Sequence, residues 1–187
     1  MRANIALIFY FSLVATLCDR TWVALGVTGY PGYPVQAWWA PLMFAAVGFI
    51  AVHFAAWISH MWVPTSARQP DDVCGSFAIG AAWFVAAYIA VGLFDATRAR
   101  RVAVILVVIW LIRVVLQWPR GCELCAVLVI SIGTAAAGTI VEIVLSRCHI
   151  MLYARPAFCG VPFWLPGLYL QGGLLARDIG RKWFGGR

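Results

Sequence analysis

VAVILVVIWLIRVVLQW (residues 102–118) carries one charge, Arg113, and neither glycine nor proline. An α-helix rising 1.5 Å per residue crosses the roughly 30 Å hydrocarbon core of a bilayer in about 17 to 25 residues, and this run has that length and composition. Its borders suit a membrane helix, with Arg98, Arg100 and Arg101 before it and Pro119 and Arg120 after it. One such run could equally be the core helix of a soluble protein, so the reading depends on whether the chain repeats it.

The pattern repeats on both sides. A following span covers about 124–146, and a preceding one, closed by Asp95, covers about 74–94. Earlier still, Trp38 and Trp39 open a span over about 37–63, and a first span over about 5–25 is interrupted by Asp19 and Arg20. A last span covers about 160–177, is interrupted by Pro162 and Pro166, and leads into a basic tail with Arg181, Lys182 and Arg187. Between the first two, residues 26–36 include Tyr30, Pro31, Gly32, Tyr33 and Pro34, a turn-rich interfacial loop. The first run ends in charge and an aromatic turn rather than a small-residue cleavage site, unlike a secretory signal. With 64% of its residues hydrophobic and 11% charged, a chain of 187 residues has more apolar surface than a soluble domain of that size can bury. The expected fold is all-α: a polytopic integral membrane protein, one domain over residues 1–187 with six transmembrane helices.

The formal charge of +7 rests almost wholly on arginine and points to anionic headgroups rather than nucleic acid, for which no basic groove with stacking rings is evident. Six spans put both termini on one side, with seven basic residues there and six opposite, so charge does not decide orientation. The setting is the cell membrane for a bacterial protein and the endoplasmic reticulum for a eukaryotic one.

From Trp164 the chain reads WLPGLYLQGGLLARDIGRKW. Trp164, Leu165, Pro166, Gly172, Gly173, Ile179, Gly180 and Arg181 fall without a gap on W-L-P, five residues, G-G, five residues, I-G-R, and so this segment resembles the C-terminal signature of the Insig (insulin-induced gene) family. Trp38, Trp39 and Pro41 resemble the family's W-W-x-P start to its second span, and Tyr153, Pro156 and Phe158 resemble the segment before its last. The resemblance implies an Insig-like fold of six spans with cytosolic termini, no catalytic activity, no cofactor, and a lipid-accommodating cavity among the helices. In animal members that cavity serves oxysterol sensing and the retention of sterol-sensing-domain proteins in the endoplasmic reticulum.

Carried over by position, the resemblance places Phe84, eleven residues before Asp95, on a pocket phenylalanine, and Trp118 on the first tryptophan ending the fourth span. Ile105 falls where the family has a polar pocket glutamine, and Cys122 where it has a partner-binding aspartate. With Trp39, these give a lipid-binding set of Phe84, Trp118, Ile105 and Trp39. The implied partner is a neutral lipid, sterol-like or diacylglycerol, in a non-enzymatic protein; packing within the fold and a homo-oligomer both explain the small residues Gly133, Ala137 and Gly138.

The remaining features have plainer readings beside functional ones. Arg113 and Glu142 stand in apolar runs, where a charge costs roughly 2.5 to 3.5 kcal/mol on insertion scales; each lies near a helix end and can snorkel, with pairing or pocket polarity as the alternative. His53 and His60 share a helix face without further ligands, so packing is the expectation and no metal is assigned. Cys122 and Cys125 form a C-x-x-C at a helix start, the arrangement of a membrane thiol oxidoreductase working with quinone; that is the rival to lipid binding.

Overall fold

The computed structural model describes residues 2–63, 73–117 and 121–184. The chain forms α1 (Arg2–Ala24), β1 (Thr28–Gly29), α2 (Ala40–Trp62), α3 (Val73–Gln117), α4 (Cys122–Arg147), β2 (Leu152–Tyr153) and α5 (Leu165–Phe184). The third and fourth spans are both in α3, which breaks at Arg98, where φ is −146° and ψ is 30°. Its two arms fold back on one another: a Cβ placed on Gly80 would lie 3.4 Å from Arg113 Nη2. On an unbroken helix those residues would be roughly 50 Å apart. The described residues therefore form six helical rods, the all-α membrane architecture expected.

α5 is the axis of the bundle, packed against α2, α3 and α4. Nothing from Trp164 to Arg181 is exposed. That position explains its composition. α2 and α4 are long and apolar enough to cross a membrane and present many side chains outward. α5 faces protein on all sides and can carry Gln171, Arg177 and Asp178, each buried. Gly173 shows how close the approach is, because a Cβ there would stand 2.5 Å from Ser131 Cα of α4. Only a residue without a side chain lets two helix backbones meet so closely.

The outer surface has the polarity of a protein solvated by lipid. Phe9, Leu13 and Leu17 form an exposed row along α1, and Ile112, Val115 and Leu116 are exposed on α3. Neither proline expected to interrupt the last span does so: Pro162 precedes α5 and Pro166 opens it. Pro166 lies in the first turn of α5, where a missing N–H costs no hydrogen bond, so the helix begins at Leu165 and continues past the expected end to Phe184.

The two interhelical loops at one end of the bundle are stitched together. β1 pairs antiparallel with β2, Thr28 opposite Tyr153 and Gly29 opposite Leu152, and Ala154 N–H donates to Val27 O at 2.9 Å. Above this patch sits an aromatic core: Trp164, fully buried, meets Trp22 edge-on at 4.8 Å, and Trp22 stacks on Tyr88 at 3.8 Å.

Candidate functional site

Where α1, α2, the first arm of α3, α4 and α5 converge they leave a cavity of about 730 Å³, counted out to its open mouth. Its wall is almost entirely carbon, built from Trp22 on α1, Phe44 and Val47 on α2, Phe84 and Tyr88 on α3, and Leu168, Tyr169 and Leu175 on α5. Phe84 and Tyr88 are one turn apart, which aims both rings into the same space.

Polar groups adjoin this wall. Tyr169 Oη donates to Glu142 Oε1 at 2.7 Å, and Tyr153 Oη donates to Glu142 Oε2 at 3.2 Å. Gly138 precedes Glu142 by one turn, and a Cβ there would be 2.7 Å from the Tyr169 ring, so glycine is what lets Tyr169 lie across α4. Asp19 is nearby: its Oδ2 accepts from Tyr30 Oη at 2.8 Å and from Gln36 Nε2 at 2.6 Å. Trp22 Nε1 donates to Tyr88 O at 2.8 Å, fixing α1 to α3 beside the cavity. Burial, and then the charge of Asp19, push the Tyr30 hydroxyl well above its ordinary range; burial and Glu142 do the same to Tyr153. Both phenols therefore remain donors at neutral pH.

A second polar group crosses the bundle between α3 and α5. Arg113 Nη1 donates to Gln171 Oε1 at 2.8 Å, and Gln171 Nε2 donates to Leu106 O at 2.9 Å. Arg177 and Asp178 approach to 3.3 Å, and Arg181 pairs with Glu123 at 2.9 Å.

Of the residues singled out in the sequence, Phe84 lines the cavity. Trp39 is half-buried and packs edge-on against Tyr30 at 5.5 Å, outside the cavity wall. Ile105 is 54% exposed on the outer face of α3, away from that wall. Trp118 lies outside the described residues. Arg113 and Glu142 do not snorkel; both are buried and hydrogen-bonded within the protein. Asp19, which as a sequence feature interrupted the first span, is instead inside α1 and only 2% exposed. Cys122 and Cys125 are exposed free thiols in the first turn of α4 and are not part of the cavity wall. His53 contacts Phe49 of its own helix, and among the described residues no group of three His, Cys, Asp or Glu could hold a metal.

Sequence reasoning missed Tyr88, Tyr169 and Trp22 as cavity residues. Tyr169 stands inside the C-terminal signature and was available to it; Tyr88 and Trp22 look like any interfacial ring until their packing is seen.

No family model and no curated protein matches the chain. Among solved structures it is similar to MvINS, a mycobacterial Insig homolog from Mycobacterium vanbaalenii, with a TM-score of 0.79 and 20% identity over 96% of this chain and 93% of that one. It is similar also to a cross-linked MvINS trimer, with a TM-score of 0.82 and 20% identity over 100% of this chain and 96% of that one. The described residues thus have the fold of an Insig homolog.

Proposed function

We propose that this protein is an Insig-like, non-enzymatic membrane protein that holds one neutral amphipathic lipid, of the sterol or diacylglycerol type, in the cavity between its helices. The observation carrying this reading is the cavity itself. Its wall is carbon apart from a few hydroxyls, and it opens from the interior of a bundle whose outer surface is apolar. Phe84 is the contact that the sequence and the cavity wall have in common. A homo-oligomer belongs to the same reading, since one structural neighbour was crystallised as a trimer.

The test is mass spectrometry of lipid carried through gentle purification. The expected result is one neutral lipid class enriched in near-stoichiometric amount over its abundance in the host membrane. Recovery of lipids only in their bulk membrane proportions would sink the proposal.

A further inference from the structure

Away from the cavity, charge is buried where α3 and α5 end and α4 begins: Arg113, Arg177 and Asp178 are each less than a tenth exposed. Asp178 serves both cations. Its Oδ1 is 3.3 Å from Arg177 Nη2, and a Cβ on Gly80 would meet its Oδ2 at 3.0 Å and Arg113 Nη2 at 3.4 Å. The neighbouring acid, Glu123, is committed to Arg181 at 2.9 Å. Arg113, Arg177 and Arg181 thus face only Asp178 and Glu123, and one guanidinium charge in this group is uncompensated.

Arg177 is the residue left short. Among the described residues its Nε and Nη1 are buried with no hydrogen-bond partner. Its place on α5 shows what it faces. Gly173, one turn earlier, meets α4 at Ile130 and Ser131, and Arg181, one turn later, meets it at Glu123 in the first turn of α4. Arg177 is on the same face between them, and so it crosses α4 within about two turns of that helix's N-terminus. No side chain caps this N-terminus, whose cap residue is Gly121. First-turn amides have no partner within a helix and carry partial positive charge. A buried cation without a counter-charge is costly, and beside uncapped amides an oxyanion would answer both.

We propose that the protein binds a phosphate group here, held by Arg177 and the first turn of α4, with Arg181 at the mouth. Phosphate has enough acceptor oxygens to take guanidinium and amide N–H groups together. The Arg181–Glu123 pair is partly exposed and lies outward of Arg177 along α5, and phosphate enters by displacing Glu123 from Arg181. Its source is the headgroup of an anionic phospholipid in the adjoining leaflet or the free ion. None of these residues lines the apolar cavity, so the site is independent of the lipid-holding reading.

The experiment follows thermal unfolding of the full chain in neutral detergent with dioleoyl phosphatidylglycerol, with dioleoyl phosphatidylcholine, whose trimethylammonium group Arg181 repels, and with inorganic phosphate against chloride at equal ionic strength. Phosphatidylglycerol or inorganic phosphate should stabilise saturably, and phosphatidylcholine and chloride should not. A response to phosphatidylglycerol alone identifies a lipid headgroup, and a response to inorganic phosphate identifies a site open to the free ion. Arg177→Met leaves Asp178 with Arg113 and should bind the effective probe at least about tenfold more weakly, the size of one charge-assisted hydrogen bond. Without probe it should melt no lower than the native protein, because the charge removed had no full partner. Arg100→Gln, at the opposite end of the bundle where Arg100 lies over Phe163, should keep the native response. Absence of selective stabilisation of the native protein overturns the proposal. So does a folded Arg177→Met protein that responds like the native one, or one that melts well below it without probe. An equal loss of response in Arg100→Gln would show a general charge effect and overturn it too. Should Arg177→Met not fold, Arg177→Lys takes its place: it keeps the charge, loses the planar donors and should bind severalfold more weakly, and unchanged affinity overturns the inference.

Discussion

Tyr169 on α5 lies across α4 with its hydroxyl 2.7 Å from Glu142 Oε1, and it can do so because Gly138, one turn before Glu142, has no side chain to block the ring. Two helices are thereby joined by a hydrogen bond at a depth where water is scarce. The bond is also next to the cavity, since Tyr169 forms part of its wall.

Removing the donor strands a buried acceptor. Tyr169→Phe should destabilise the protein by about 1–3 kcal/mol, the usual cost of an unsatisfied buried group. Glu142→Gln should cost less, because an amide presents a carbonyl to one phenol and an N–H to the other. Thermal unfolding in detergent orders the three proteins: native first, then Glu142→Gln, then Tyr169→Phe. A Tyr169→Phe protein as stable as the native one would show that the bond contributes nothing.

Gly173 is intolerant of any side chain. With Ser131 Cα 2.5 Å from where a Cβ would be, Gly173→Ala must push α4 from α5 along the axis of the bundle. Overpacking of this kind costs about 1–3 kcal/mol or more. Gly29 in β1 is the control, because a Cβ there meets nothing within 4 Å, and Gly29→Ala should leave the melting temperature nearly unchanged. Similar melting temperatures for the two variants would contradict the close approach.

Much of this was legible in the sequence because hydrophobic length is a strong signal and the glycine pair of the C-terminal signature falls where helices touch. The helix borders at Ala40–Trp62 and Cys122–Arg147 follow from where the apolar runs stop. What composition could not convey was which helix lies at the centre. α5 has the weakest membrane character of the six because its neighbours are helices rather than lipid, and a polar residue such as Gln171 is bonded inside the bundle. The site was less legible for a similar reason. Asp19, Glu142 and Arg113 read as boundary charges on a linear chain, whereas the partners that bury them, Tyr30, Tyr169 and Gln171, are separated from them by 11, 27 and 58 positions.

The Arg113 bridge is predicted to act as a unit. Arg113→Leu removes the donor to Gln171 and a positive charge from the vicinity of Asp178. Gln171→Leu removes the link from Arg113 to the Leu106 carbonyl. Each alone should be destabilising, but the double variant should be less so than the sum, with a coupling of about 1–3 kcal/mol. A double-mutant cycle in thermal or denaturant unfolding gives the number, and additivity within error would mean that the contact carries no energy.

Phe84→Ala should weaken lipid retention more than it weakens the empty protein. Truncating a buried ring usually costs about 3–5 kcal/mol, because atoms around the new void lose their contacts. Phe84 already borders open space on its cavity side, so part of that penalty is absent from the lipid-free state and appears instead when lipid loses a ring to pack on. The signature is therefore a split. The melting temperature without lipid falls modestly, whereas the further rise on adding dioleoylglycerol or cholesterol, whichever the native protein binds, shrinks severalfold, since stabilisation by a ligand follows its affinity. Two controls locate the effect. Ile105→Ala truncates a side chain on the outer face of α3, and Cys122→Ser with Cys125→Ser alters exposed thiols at the start of α4; both proteins should keep the native lipid response. A full lipid response in folded Phe84→Ala would remove Phe84 from the binding surface. Loss of the response in the double serine variant would move the function toward the thiol pair.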